Sequence, residues 1–220
     1  MKKLLFIINP MAGRQQAQTD LYKMVKIFAD HDYEVTVYPT RARLDCTRKV
    51  LEDAGRFDLV VCCGGDGTLN EMVSGMMQRQ DRRPMGYIPL GSTNDLAVSL
   101  RLPTRVEEAA LRAVTGNEFH MDVGTLNDRY FNYIAAFGAF TETSYATPQE
   151  IKNALGHLAY ILEGVKSLGK ILPIHVKITA DDEQFEEDYL FGAVTNTISL
   201  GGVLKLDPEK VLLDDGMNEL

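Results

Sequence analysis

Short apolar runs alternate with stretches of helical spacing along residues 4–89, and no other feature restricts the fold as tightly. Leu4, Leu5, Phe6, Ile7 and Ile8 form one continuous apolar run, the pattern of a strand buried on both faces in a parallel sheet. Polar residues then lead into Leu21, Met24, Val25 and Phe28, spaced as one face of a helix, and Glu34, Val35, Thr36, Val37 and Tyr38 read as a second strand. The unit recurs as a helix over 46–54, a strand over 59–63, a Gly-rich turn, a helix over 69–77 and a strand over 85–89. Such alternation implies an α/β fold: an open, mostly parallel sheet with right-handed crossovers and helices on both faces, giving three layers. After Asp95, Pro103 separates two more helical segments, the second carrying Val106, Ala109, Ala110 and Ala113 and stopping at Gly116-Asn117.

From Phe119 the pattern changes. Residues 121–124, 129–140, 174–179 and 189–198 read as strands joined by acidic or Gly-containing turns, with one long helix over 148–168 among them. Residues 181–188 read as a solvated acidic hairpin anchored by Phe185. The boundary is therefore placed at Asp122, with an α/β domain over 1–122 and a smaller β-rich, sandwich-like domain over 123–220. Tyr130, Phe131, Tyr133, Phe137 and Phe140 read as sheet core, the other reading being the wall of an apolar cleft; Met72, Met76 and Met77 likewise read as core.

Composition excludes several classes. With 220 residues and 45% of them hydrophobic, the chain can bury a sizeable core. Lys plus Arg number 23 against 31 Asp plus Glu, a net charge of -8 that argues against a nucleic-acid partner. Cys46, Cys62 and Cys63 show neither a disulfide framework nor zinc spacing, so a reducing cytoplasm is the simplest compartment. The run at 4–8 is too short for a signal or a membrane span. His31, His120, His157 and His175 share no spacing that would suit a metal or acid–base pair.

The chemistry is concentrated in loops. Gly64-Gly65-Asp66-Gly67-Thr68 follows a buried strand and precedes a helix, so its backbone can approach a ligand closely while the helix N-terminus offers free N–H groups to phosphate. A carboxylate there opposes direct phosphate contact, so Asp66 is read as holding Mg²⁺ or its waters beside a nucleotide; a tight strand-to-helix connection is the plainer alternative. Asn9-Pro10-Met11-Ala12-Gly13 follows the first strand and Pro89-Leu90-Gly91-Ser92-Thr93-Asn94-Asp95 the fourth. In an open α/β sheet all three loops fall on the rim where ligands bind, and together they describe a nucleotide site. Thr40 ends the second strand on the same rim, and Arg14 is a candidate for neutralising phosphate charge.

These three loops, together with Leu69-Asn70-Glu71, resemble the signature loops of the diacylglycerol kinase catalytic family, which includes sphingosine and ceramide kinases. The Gly-Gly-Asp-Gly-Thr loop alone is shared with NAD kinases and in part with phosphofructokinases; the other two loops point to lipid kinases. Asp122-Val123-Gly124, Arg129-Tyr130-Phe131-Asn132 and Leu213-Asp214-Asp215-Gly216 are similar to segments of the soluble bacterial enzymes. The resemblance implies an ATP-dependent phosphotransferase acting on the hydroxyl of diacylglycerol or a related lipid. It makes Asn9, Pro10, Met11, Ala12, Gly13, Thr40, Gly65, Asp66, Gly67, Thr68, Leu69, Asn70, Glu71, Ser92 and Thr93 nucleotide contacts. It places Asp66, Asp95 and Asp122 in a magnesium and water network near the phosphates, with Arg14 as its basic member. It further implies a structural Mg²⁺ on the Asp215 carboxylate and the carbonyls of Leu212 and Met217.

The resemblance also implies a cytoplasmic enzyme of phospholipid metabolism that touches the membrane transiently to reach its lipid, and it leaves a homodimer open. One departure stands out. The family's general base lies in an Asp-Gly-Glu segment after the metal loop, and these 220 residues contain none. The expectation is that the chain continues past Leu220 and carries the base there. An NAD-kinase-like enzyme with a soluble acceptor, and a nucleotide- or lipid-binding pseudo-kinase, are the alternatives.

Overall fold

The computed structural model describes residues 1–138, 172–200 and 204–220, apart from the side chains of Arg14, Gln15 and Leu204. The helix expected over 148–168, Phe140, His157 and the Arg14 side chain lie outside the described residues. Two compact units are present: Met1–Tyr133 with Asn196–Met217, and Ile134–Thr195 with Asn218–Leu220. Asp122 falls within the first.

The first unit follows the alternation read from the sequence. In chain order it has β1 (Lys2–Ile8), α1 (Gln16–Thr19), α2 (Leu21–Asp30), β2 (Tyr33–Pro39), α3 (Asp45–Asp53), β3 (Leu59–Gly64), α4 (Asp66–Met77), β4 (Met85–Pro89), α5 (Asp95–Ser99) and α6 (Val106–Thr115). The four strands form one sheet in the order β2-β1-β3-β4, and every pairing is parallel. The period-2 geometry of β1 and β3 sends alternate residues to opposite faces. Leu4, Phe6, Ile8, Leu59, Val61 and Cys63 pack with Met24 and Phe28 of α2 and Ala109 of α6. Leu5, Ile7, Val60 and Cys62 pack with Val50 of α3 and Met72, Val73 and Met76 of α4. Both faces are thus sealed, which explains why these strands carry no polar alternation; each fully buried large side chain contributes about 1.5–3 kcal/mol. Phe6 and Phe28 meet edge to face, ring centres 5.2 Å apart.

The helix after the Gly-rich turn starts at Asp66, three residues before the expected Leu69. Gly65 is its N-cap, and an acidic residue in the first turn suits the positive end of the helix dipole.

Beyond α6 come β5 (Gly124–Leu126), β6 (Arg129–Phe131), β7 (Ile134–Gly138), β8 (Ile174–Ala180), β9 (Glu183–Tyr189), β10 (Phe191–Thr195), β11 (Ser199–Leu200) and β12 (Leu204–Lys205). In the first unit β5 pairs with β6 and β11 with β12; in the second β7 pairs with β10 and β8 with β9, all antiparallel. The β-rich character expected after Asp122 is present in these strands. The strand expected over 129–140 breaks at Asn132-Tyr133, because Asn132 turns fully inside and leaves the ladder. Phe185 does not anchor its hairpin: it faces Ile178 across β8–β9 and stays 40% exposed.

Candidate active site

The strand register aligns one rim of the sheet. Ile8 pairs with Pro39 on one side and Cys63 on the other, and Gly64 pairs with Pro89, so the loops after β1, β2, β3 and β4 leave the sheet together. The strand order reverses between β1 and β3, and a crevice at that point is where open α/β sheets bind ligands.

The loops bind one another there. Asn9 closes a turn by accepting the Met11 N–H through Oδ1 (3.0 Å), and its Nδ2 donates to Thr68 Oγ1 in the first turn of α4 (3.3 Å). The Pro10 carbonyl accepts from Gln18, Met11 is half exposed and Ala12 is buried. Gly13 has φ +59, and a Cβ there would lie 3.3 Å from the Leu90 carbonyl oxygen. Only glycine combines that left-handed backbone with so close an approach to the loop after β4. The Thr40 N–H donates to the Ile8 carbonyl at 2.9 Å, which sets Thr40 beside Asn9.

The loops after β3 and β4 meet through glycine. A Cβ on Gly91 would lie 2.6 Å from the Gly65 Cα, so neither residue has space for a side chain. Asn94 braces this contact from φ +56: its Oδ1 accepts the Gly91 N–H (2.8 Å) and the Tyr87 hydroxyl (3.1 Å), while its Nδ2 donates to the Gly91 carbonyl (2.9 Å). Ser92 is exposed and Thr93 half-buried on the loop so formed; Gly67 is exposed with open space where a side chain would be.

Asp66 and Asp95 are brought together. Burial and the Asp95 charge raise the Asp66 carboxyl to about 6, against the main-chain N–H groups of Asp95, Asn94 and Leu96, which pull it down. Asp66 Oδ1 is buried without a hydrogen-bond partner, and so is Asn70 Oδ1, one turn further along α4. Asp95 is 3% exposed and accepts the Ser199 hydroxyl at 2.7 Å. Thr68 and Leu69 are buried, Leu69 in the core. Glu71 points to the neighbouring helix, its carboxylate accepting the N–H groups of Leu44 (2.9 Å) and Cys46 (3.3 Å).

Asp122 bonds to the loop expected to hold a metal. Its Oδ2 accepts the Gly216 N–H at 2.6 Å, and its own N–H donates to the Leu213 carbonyl at 2.8 Å. Asn196 Nδ2 donates to the carbonyls of both Asp122 and Leu213. Within the loop Asp215 Oδ1 accepts the Met217 N–H at 3.0 Å, Gly216 turns at φ +80, and Leu212 and Met217 are exposed.

Sequence reasoning missed the supporting residues. Ser199, Thr197 and Asn196 are at most 2% exposed. Thr197 Oγ1 lies 2.5 Å from Ser99 Oγ, which in turn accepts the Ile198 N–H. A run of short polar residues, Thr195-Asn196-Thr197, inside an otherwise apolar strand pattern was the available signal. The methionine reading holds: Met72 and Met76 are core and Met77 packs against it; of the aromatics, Tyr133 packs on that core, whereas Tyr130, Phe131 and Phe137 are half-buried and are not among the buried core residues.

Converging strand-to-helix loops on the rim of a four-stranded parallel sheet define an open α/β nucleotide-binding unit. Residues 3–126 match the family model of the diacylglycerol kinase catalytic domain. A diacylglycerol kinase of Bacillus subtilis (strain 168) is 37% identical over 222 residues, spanning 100% of this chain and 73% of that relative. One from Staphylococcus saprophyticus is 32% identical over 98% of this chain and 70% of the relative. The crystal structure of a diacylglycerol kinase from Bacillus anthracis str. Sterne superposes with a TM-score of 0.79 at 30% identity, over 98% of this chain and 71% of that one. The chain belongs to the diacylglycerol kinase catalytic domain family.

Proposed function

We propose that this protein is an ATP-dependent lipid kinase that transfers the γ-phosphate of ATP to a hydroxyl of diacylglycerol or a related lipid. The observation that carries the reading is the mutual contact of the three rim loops around Asp66, in a chain of this family. Phosphoryl transfer asks a protein chiefly for positioning and charge neutralisation. The N–H groups at the start of α4 and the close-packed Gly13, Gly65 and Gly91 let main chain approach the phosphates. Asn9, Thr40, Ser92 and Thr93 line the same rim as hydrogen-bonding groups.

The unpartnered oxygens of Asp66 and Asn70 are hard donors of the kind magnesium or its waters take, so these residues fit the ion. Bound there, magnesium would neutralise phosphate charge; Asp66 would be held ionised, with Asp95 fixed behind it by Ser199. By its position in the first signature loop, Arg14 is assigned the role of neutralising phosphate charge. A second magnesium is proposed on the Leu212, Asp215 and Met217 loop, where one carboxylate with main-chain carbonyls would be a hard-oxygen set. Asp122 would act through that loop, which its carboxylate holds at Gly216.

No helix among the described residues is long and apolar enough to cross a membrane. The lipid substrate is proposed to be drawn from a bilayer by transient peripheral contact. The test is transfer from γ-labelled ATP with Mg²⁺ to mixed micelles of diacylglycerol, sphingosine, ceramide or phosphatidylglycerol, and to NAD, by the complete gene product. Label in a lipid spot supports the kinase; label in NAD alone moves the assignment to a soluble acceptor, and no label at all contradicts catalysis.

A further inference from the structure

Leu44 ends the loop after β2 in a left-handed conformation (φ +64), 60% exposed, immediately before α3. Leucine avoids that backbone region, so the loop needs bonding partners to keep its shape. It has two. Asp45, 3% exposed, accepts the Arg41 N–H at 2.9 Å, the Arg41 guanidinium and the Tyr38 hydroxyl, tying the loop to itself and to β2. Glu71 supplies the other from a different element: α3 has no side-chain N-cap of its own, and the carboxylate on α4 takes the Leu44 and Cys46 N–H groups in its place. Thr47 Oγ1 returns a bond to the Glu71 carbonyl at 2.9 Å.

We propose that Glu71 is a positioning residue, a cap in trans that fixes the Thr40–Leu44 loop against the helix bearing Asp66, and that nucleotide affinity depends on it through the shape of that loop. This rests on the nucleotide site proposed above. Both carboxylate oxygens are engaged by main chain, which leaves Glu71 poorly disposed to hold a nucleotide directly. A direct ligand and a cap make different demands on Leu44: glycine accepts φ +64 without strain, so Leu44→Gly removes the backbone cost that the cap offsets in holding the loop and does nothing for a lost ligand.

The experiment combines amide hydrogen exchange with steady-state kinetics on the complete protein. Glu71→Ala is expected to speed exchange at Leu44 and Cys46 about tenfold or more and to raise KM for ATP about 5–20-fold with kcat within about threefold, as loss of ground-state positioning requires. Adding Leu44→Gly is expected to recover most of the KM change. Unchanged exchange at both amides, or a raised KM that Leu44→Gly leaves untouched, would overturn the proposal. Should Glu71→Ala fail to fold, Glu71→Gln decides, because one retained acceptor oxygen predicts intermediate exchange and wild-type exchange contradicts it. If the wild-type protein transfers no phosphate, ADP affinity by calorimetry replaces KM; absence of ADP binding then sinks the nucleotide site, whereas the exchange rates still judge the cap.

Discussion

Ser199 donates its hydroxyl hydrogen to an Asp95 carboxylate oxygen at 2.7 Å, across 104 positions of sequence, and both residues are buried. The aspartate that follows the Gly91-Ser92-Thr93 loop is therefore held by a segment from the far end of the first unit. A hydrogen bond to a buried carboxylate contributes about 1.5–3 kcal/mol, and removing the donor loses that contribution to the placement of Asp95. Ser199→Ala should lower kcat about tenfold or more while KM for ATP changes less than about threefold. Parallel kinetics of the two proteins check this; an unchanged kcat would free Asp95 from its dependence on Ser199.

Gly91 offers a packing test. A methyl group there would sit 2.6 Å from the Gly65 Cα, so Gly91→Ala must push the loops after β3 and β4 apart. We expect KM for ATP to rise about tenfold and stability to fall by about 1–3 kcal/mol, the usual cost of overpacking. Thermal unfolding and ATP titration measure both, and a variant matching wild type in each would mean that the loops do not close on one another in solution.

The proposed structural magnesium makes Asp215 a stability residue. Wild-type protein should gain several degrees in Tm on addition of millimolar Mg²⁺, by mass action on the folded state, and Asp215→Ala should lose that increment. Equal Mg²⁺ responses in the two proteins would remove Asp215 from the ligand set.

Asp66 gives a pH dependence of known sign. Its folded carboxyl is raised from 3.8 to about 6, mainly by burial and secondly by the Asp95 charge. An acid whose pKa is higher in the folded state costs stability above the folded value, and the cost disappears below the unfolded one. Without magnesium, Asp66→Asn should therefore be more stable than wild type by about 1–3 kcal/mol at pH 7, with the difference gone by about pH 3. Denaturant unfolding in chelator at the two pH values measures it; an Asn variant no more stable at pH 7 would contradict the burial of that charge.

The parallel sheet was legible because β1 and β3 are apolar without interruption, and only a strand covered on both faces has that composition. The convergence of the rim loops was legible for a related reason, since glycines between a buried strand and a helix let main chain pass close to its neighbours, as Gly65 and Gly91 do. What supports the loops was not. Asn94 and Gly91 make a local brace that looks like an ordinary turn, and Ser199 is significant only because the fold carries it to Asp95. Glu71 reads as one more residue of the signature loop until both its oxygens are seen on α3. Contacts of this kind depend on which elements become neighbours, which a one-dimensional pattern does not encode.

The central claim, that the loop after β3 performs phosphate transfer to a lipid, is tested most directly by labelled transfer from ATP to diacylglycerol micelles with wild-type protein and Asp66→Ala side by side. Asp66 carries a buried, unpartnered carboxylate oxygen at the start of α4, and electrostatic groups of that kind supply large factors in rate. Wild type should label the lipid, and Asp66→Ala should lose activity about 10³-fold or more while its far-ultraviolet circular dichroism stays unchanged. Near-normal turnover by a folded Asp66→Ala protein would contradict the assignment.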